Sequence, residues 1–109
     1  MRRPDLATSA RRFAALGDPT RLQVFLLLSH EPQSVAEIAG AVSVSRPAVS
    51  QHLKVLKEAG LVREEQEGAR RIYRIDPEGL GQLRRWLDGF WGDALENFKA
   101  EAEKGTKKK

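Results

Sequence analysis

Cysteine is absent from all 109 residues. That excludes disulfides, thiolate metal sites and any sulfur-based redox switch, and it points to a cytoplasmic chain. Histidine is nearly as scarce, with only His30 and His52. Transition metals ask for nitrogen or sulfur ligands at fixed spacings, so no metal and no other cofactor is expected. No apolar run approaches the ~20 residues of a membrane span, and the start of the chain lacks the apolar core of a signal peptide. No glycine-rich loop precedes a lysine, and no nucleophile–base spacing stands out, so an enzyme is not expected. Aromatic residues are few, yet four of the seven fall between positions 86 and 98.

Positive charge is also less general than the net value of +4 suggests. Lys104, Lys107, Lys108 and Lys109 supply the whole excess, and residues 1–103 carry 15 basic against 15 acidic side chains. Overall basicity is therefore weak evidence for nucleic acid, and local clustering has to carry the case. The length suits one domain with one modest core. Residues 1–104 are read as that domain and 105–109 as a basic, disordered tail.

The most informative stretch is Ser45–Ala59. Val49, Leu53 and Leu56 recur at i, i+4 and i+7 and form one apolar stripe of a helix. Ser45 suits its N-cap, Pro47 its first turn, and Gly60 a left-handed C-terminal cap. The other flank carries Arg46, Ser50, Gln51, Lys54 and Lys57, with no acid before Glu58. An isolated amphipathic helix would explain as much, but the neighbours add to it. Ser34-Val35-Ala36-Glu37 is a capping box that opens a short helix through Val42. Only Ser43-Val44-Ser45 separates the two helices. A short helix, a tight turn and a second helix with a small, polar leading face form a helix-turn-helix, whose second helix enters a major groove.

Two helices precede this unit. Asp5–Leu16 is read as the first, with Leu6 and Phe13 among its apolar positions, after a frayed start whose Arg2-Arg3 pair is free to touch phosphate. Pro19 to about Ser29 is the second, capped by Asp18; it is apolar nearly all round and is expected at the middle of the domain. His30–Gln33 is read as a loop. After Gly60, Leu61–Gln66 and Arg70–Ile75 form a two-stranded hairpin with Gly68 near its tip. Arg70 and Arg71 then supply a basic wing, and Glu64, Glu65 and Glu67 either pair with them across the strands or face away from DNA. Asp76-Pro77 opens a last helix to about Lys104. Its apolar stripe and the first helix are expected to build a homodimer through Leu6, Phe13, Leu83, Leu87, Phe90, Trp91, Leu95 and Phe98.

Phe13-Ala14-Ala15-Leu16-Gly17-Asp18-Pro19-Thr20-Arg21-Leu22, Ser45–Leu56 with Ala59-Gly60-Leu61-Val62, and the wing Glu67–Ile75 together resemble arsenic-repressor-type (ArsR/SmtB) winged-helix regulators. The resemblance covers about residues 10–100. It implies a mainly α fold with a β-hairpin, five helices and a wing, acting as a dimeric transcriptional repressor on a partly palindromic operator. Many members sense metals through cysteines near the third helix or through His, Asp or Glu ligands of the last helix; this chain has no cysteine, and its last helix carries Asp88, Asp93 and Glu96 but no histidine. Base contacts are expected from Ser45, Arg46, Pro47, Ser50 and Gln51, and phosphate contacts from His52, Lys54, Arg70 and Arg71. A winged helix used only for protein contacts is the alternative. The inducing signal stays open: a small molecule or a partner protein. A ligand pocket lined by Trp86, Phe90 and Trp91 is weighed there against simple packing of those rings.

Overall fold

The computed structural model describes residues 6–107, with side chains as far as residue 104. The expectations for Arg2-Arg3, Asp5 and Lys108-Lys109 lie outside the described residues. In chain order the elements are α1 (Leu6–Ala15), α2 (Pro19–Leu28), β1 (Gln33–Ser34), α3 (Val35–Val42), α4 (Arg46–Glu58), β2 (Val62–Glu67), β3 (Arg70–Ile75) and α5 (Pro77–Lys107).

Side-chain caps set most of these boundaries. The Asp18 carboxylate accepts the Arg21 backbone N–H at 2.9 Å and starts α2, with Pro19 in its first turn. Ser34 and Glu37 close a reciprocal capping box on α3. The Ser45 hydroxyl accepts from the Ala48 N–H at 3.2 Å and starts α4. The Asp76 carboxylate accepts from Glu78 and Gly79 at 3.0 and 3.4 Å at the head of α5. Each cap satisfies backbone donors that a helix start leaves orphaned. The end of α1 is closed from outside: Arg21 donates to the Ala15 and Ala14 carbonyls at 2.6 and 3.4 Å.

β2 and β3 pair in register Glu64↔Tyr73 and Glu67↔Arg70 across a two-residue turn. Gly68, the first central residue, has φ +62°, the positive value such a turn requires. The wing is not purely two-stranded, because Gln33 and Ser34, read as the end of a loop and a cap, pair with Tyr73 and Ile72. The sheet order is β1-β3-β2. Ser34 thus ends a strand and caps a helix at once.

One core joins α2, α3, α4, the base of the wing and the start of α5: Val24, Phe25, Leu28, Ile38, Val42, Val49, Leu53, Leu56, Leu61, Val62 and Leu83. Three expectations change here. α2 is not buried all round, for Leu22 and Leu26 are exposed while Val24, Phe25 and Leu28 face the core; the domain is too thin to wrap a helix completely. Leu83, expected at the dimer seam, is buried inside the protomer because the first turns of α5 lie against the core. α5 also continues to Lys107, so residues 105–107 are helical rather than tail. Lys104 stands in that last turn, where positive charge complements the helix dipole.

The chain is elongated, 68 × 30 × 21 Å, with a radius of gyration of 18.5 Å. A compact domain of this length would have about 13 Å. The difference is α5, whose second half leaves the body of the protein. No described helix is long and apolar enough to cross a membrane.

Candidate nucleic-acid interface

The buried stripe of α4 fixes what its other side can do. Val49, Leu53 and Leu56 are fully buried against α2 and α3, so Ser45, Arg46, Pro47, Ser50, Gln51 and Lys54 are all turned outward. Thirteen residues give the helix a length of about 20 Å, enough to lie along a groove. The turn before it is tight because Ser43 takes a left-handed conformation, φ +57°, at the end of α3. Ser45 serves first as a cap; its oxygen is engaged by Ala48, which leaves its proton for an outside acceptor.

His52, the other expected phosphate contact on α4, stands at the edge of the outward flank. It follows Val49 by three residues, on the border of the buried stripe, and is half-buried. Its imidazole lies close enough to Asp18 to help hold that carboxyl below its ordinary 3.8, after the larger effect of the Arg21 N–H.

The expected wing cations are exposed but already matched. Arg70 lies 3.1 Å from Glu37, and Arg71 lies 3.3 Å from Glu64, which also binds Lys57 of α4. Arg74 lies 2.9 Å from Glu65. Cross-strand pairing and attachment of the wing to α3 and α4 therefore both occur. Composition showed the acids and bases; only the folded arrangement of the side chains shows which meet. Of the cations on α4 and the wing, Arg46, Lys54 and Arg63 are exposed and outside these ion pairs.

The Ser34 N–H, above all, holds the Glu37 carboxyl below its ordinary 4.5, with the Ser34 hydroxyl and Arg70 adding to it. Lys57 does the same for Glu64. A carboxyl lowered in the folded state stabilises above its ordinary value, and that contribution is lost as pH falls through the folded value. Melting temperature should therefore fall from pH 6 to pH 3 more steeply in the wild type than in Glu37→Gln, which keeps an acceptor for Ser34 but does not titrate. Equal slopes would remove Glu37 from the acid response.

At the other end of the molecule α5 presents Leu87, Phe90, Trp91, Leu95 and Phe98 to solvent, joined by Leu6 and Phe13 of α1; Trp91 is 59% and Phe98 73% exposed. The residues of α1 that face inward are Ser9, Arg12 and Ala15. Trp86 stacks on Phe90 at 5.7 Å and meets the edge of Phe13 at 5.3 Å. These rings pack on each other; the shallow groove on this helix is lined instead by Phe90, Asp93, Ala94, Glu96 and Asn97. Among the described residues no three His, Asp or Glu side chains gather as a metal site would need.

A short helix, a tight turn, a second helix with an open polar flank and an adjoining hairpin define a winged helix-turn-helix. Residues 18–64 match the bacterial regulatory protein, arsR family. The HTH-type transcriptional regulator Rv2034 of Mycobacterium tuberculosis is 51% identical over 88 residues, 81% of this chain and 82% of that one. The HTH-type transcriptional repressor SmtB of the same species is 39% identical over 69 residues, 63% of this chain, which spans only 51% of its length. A solved structure of a homodimeric winged helix-turn-helix DNA-binding domain, Mb0332 of Mycobacterium bovis, is 34% identical, with a TM-score of 0.67 over 84% of this chain and 85% of that one. The chain belongs to the arsR family of bacterial regulatory proteins.

Proposed function

We propose that the protein is a DNA-binding transcriptional repressor that works in the cytoplasm as a homodimer, placing one α4 in each of two successive major grooves. The observation that carries this reading is the outward flank of α4 from Ser45 to Lys54, held by three fully buried aliphatic residues beneath it. Half-sites would then lie about 34–36 Å apart, one turn of the duplex. Arg46 suits guanine edges and Gln51 adenine edges, with Ser45, Pro47 and Ser50 beside them; Lys54 takes phosphate. Arg70 and Arg71 take phosphate in competition with Glu37 and Glu64. The apolar flank of α5 with Leu6 and Phe13 supplies the dimer contact. No catalytic step is assigned. A small-molecule or protein inducer would act by shifting α5 in that contact.

Selection from a random duplex library, followed by gel shift at moderate salt, tests the reading. A partly palindromic sequence should be enriched. On it, Arg46→Ala should cost roughly 1–3 kcal/mol and relax preference at one position. Lys54→Ala should weaken all sequences alike and flatten the salt slope by about one unit. Uniform losses from both variants would overturn this division of roles. The carboxylate-paired wing also suits a protein-docking module, and a library that enriches nothing would favour that second reading.

A further inference from the structure

The C-terminal end of α4 is held by α1 and α5, the two helices whose outer faces supply the proposed dimer contact. Arg12 of α1 is only 9% exposed, and its Nε donates to the Ala59 carbonyl at 3.0 Å. Ala59 is the C-cap of α4, so the guanidinium sits at the negative end of that helix and satisfies a carbonyl there. Among the described residues no carboxylate pairs with Arg12. Its Nη2 also packs on Gly60, 3.1 Å from where a Cβ would stand. The next carbonyl, that of Gly60, abuts Gly79 of α5, where an added Cβ would come within 1.7 Å of the oxygen. The third, that of Leu61, accepts from the Asp76 N–H at 2.9 Å, and Asp76 caps α5. Three consecutive carbonyls at the end of α4 thus face α1, α5 and the cap of α5.

Such a joint acts at the far tip of α4. Arg46 lies thirteen residues from Ala59, about 20 Å along the helix. A tilt of about 10° at the joint moves the tip by about 3.4 Å, which is one base step along a strand. We propose that Arg12 is a positioning residue: it fixes the angle of α4 on the α1–α5 frame and thereby the half-site spacing that the dimer accepts. This rests on the dimeric DNA-reading function proposed above.

The test uses the full-length protein and the selected operator, with the spacing between half-sites kept, shortened or lengthened by one base pair. Wild type should lose roughly tenfold in affinity at either altered spacing, comparable to a mismatched base pair. Arg12→Gln should bind all three duplexes within about threefold of one another while keeping its base preferences inside each half-site. Arg12→Lys, which keeps the charge but moves the donor, should fall between the two. If Arg12→Gln lacks a cooperative melt, Arg12→Lys carries the test alone, with a spacing penalty at least halved. A variant that folds, keeps the wild-type spacing penalty and merely binds more weakly would show a general structural role and overturn the proposal. A wild type that enriches no duplex would instead overturn the DNA reading, and this inference with it. A wild type that is selective but indifferent to spacing would overturn this inference alone.

Discussion

Gly79→Ala should melt well below wild type, although replacing glycine by alanine in a helix ordinarily gains about 1 kcal/mol. The alanine Cβ would stand 1.7 Å from the Gly60 oxygen and 2.8 Å from its carbonyl carbon. The obstacle is backbone, so no side chain can rotate away. Gly60 itself sits at φ +77° between Ala59 and Leu61, whose carbonyls are engaged by Arg12 and Asp76. Overpacking of this kind costs 1–3 kcal/mol or more, so a net loss of about 2 kcal/mol is expected, or roughly 10 °C for a domain of this size. Gly89 and Gly92 are the controls: nothing stands within 4 Å of either Cβ position in the protomer. Alanine there should be neutral or stabilising unless a second copy approaches closely. Melting of Gly79→Ala at or above the wild-type temperature would disprove the close packing of α5 on the end of α4.

Trp91→Glu should turn the dimer into a monomer at micromolar concentration and reduce operator affinity by about 100-fold or more. Leu87, Phe90, Trp91, Leu95 and Phe98 lie on a helix that extends past the body, and among the described residues they stay 45–73% exposed. Burying side chains of this size contributes about 1.5–3 kcal/mol each. A two-fold contact repeats the substitution, so two carboxylates would enter one apolar seam. A monomer also loses the effective concentration that joins two half-site contacts, a factor of 10²–10⁴. The protomer core should be little affected, since Trp91 takes no part in it. Sedimentation equilibrium and gel shift check both halves. A variant that stays dimeric, or that binds operator as wild type does, would remove Trp91 from the interface.

The elements whose chemistry is local were readable from sequence. Asp18, Ser34 with Glu37, and Ser45 mark helix starts because each needs only a partner three residues away, and all three behave as caps. The α4 stripe was readable because Val49, Leu53 and Leu56 meet the helical period with nothing to confuse it. What escaped depends on distant partners. β1 has two residues, too few to show a period, and exists only because β3 lies beside it. Arg12 drew no reading from the sequence, because its partner is 47 residues away. The one local hint was its place on a face with Ser9 and Ala15, a stripe of small residues that leaves room for a long side chain to lie flat. The wing acids and bases were visible, but Arg71 chose the diagonal Glu64 rather than the directly opposed Gln66, a matter of side-chain reach that register alone does not decide.

The matched charges of the wing bear on how such a protein searches a chromosome. When Arg70 or Arg71 leaves its carboxylate for a phosphate, one ion pair replaces another, and fewer counterions are freed than by a bare cation. Random sequence would then retain the molecule more briefly than a wing of bare cations would. Among the millions of decoy sites a genome offers, a hairpin with that weaker nonspecific grip would raise the share of molecules found at the true address.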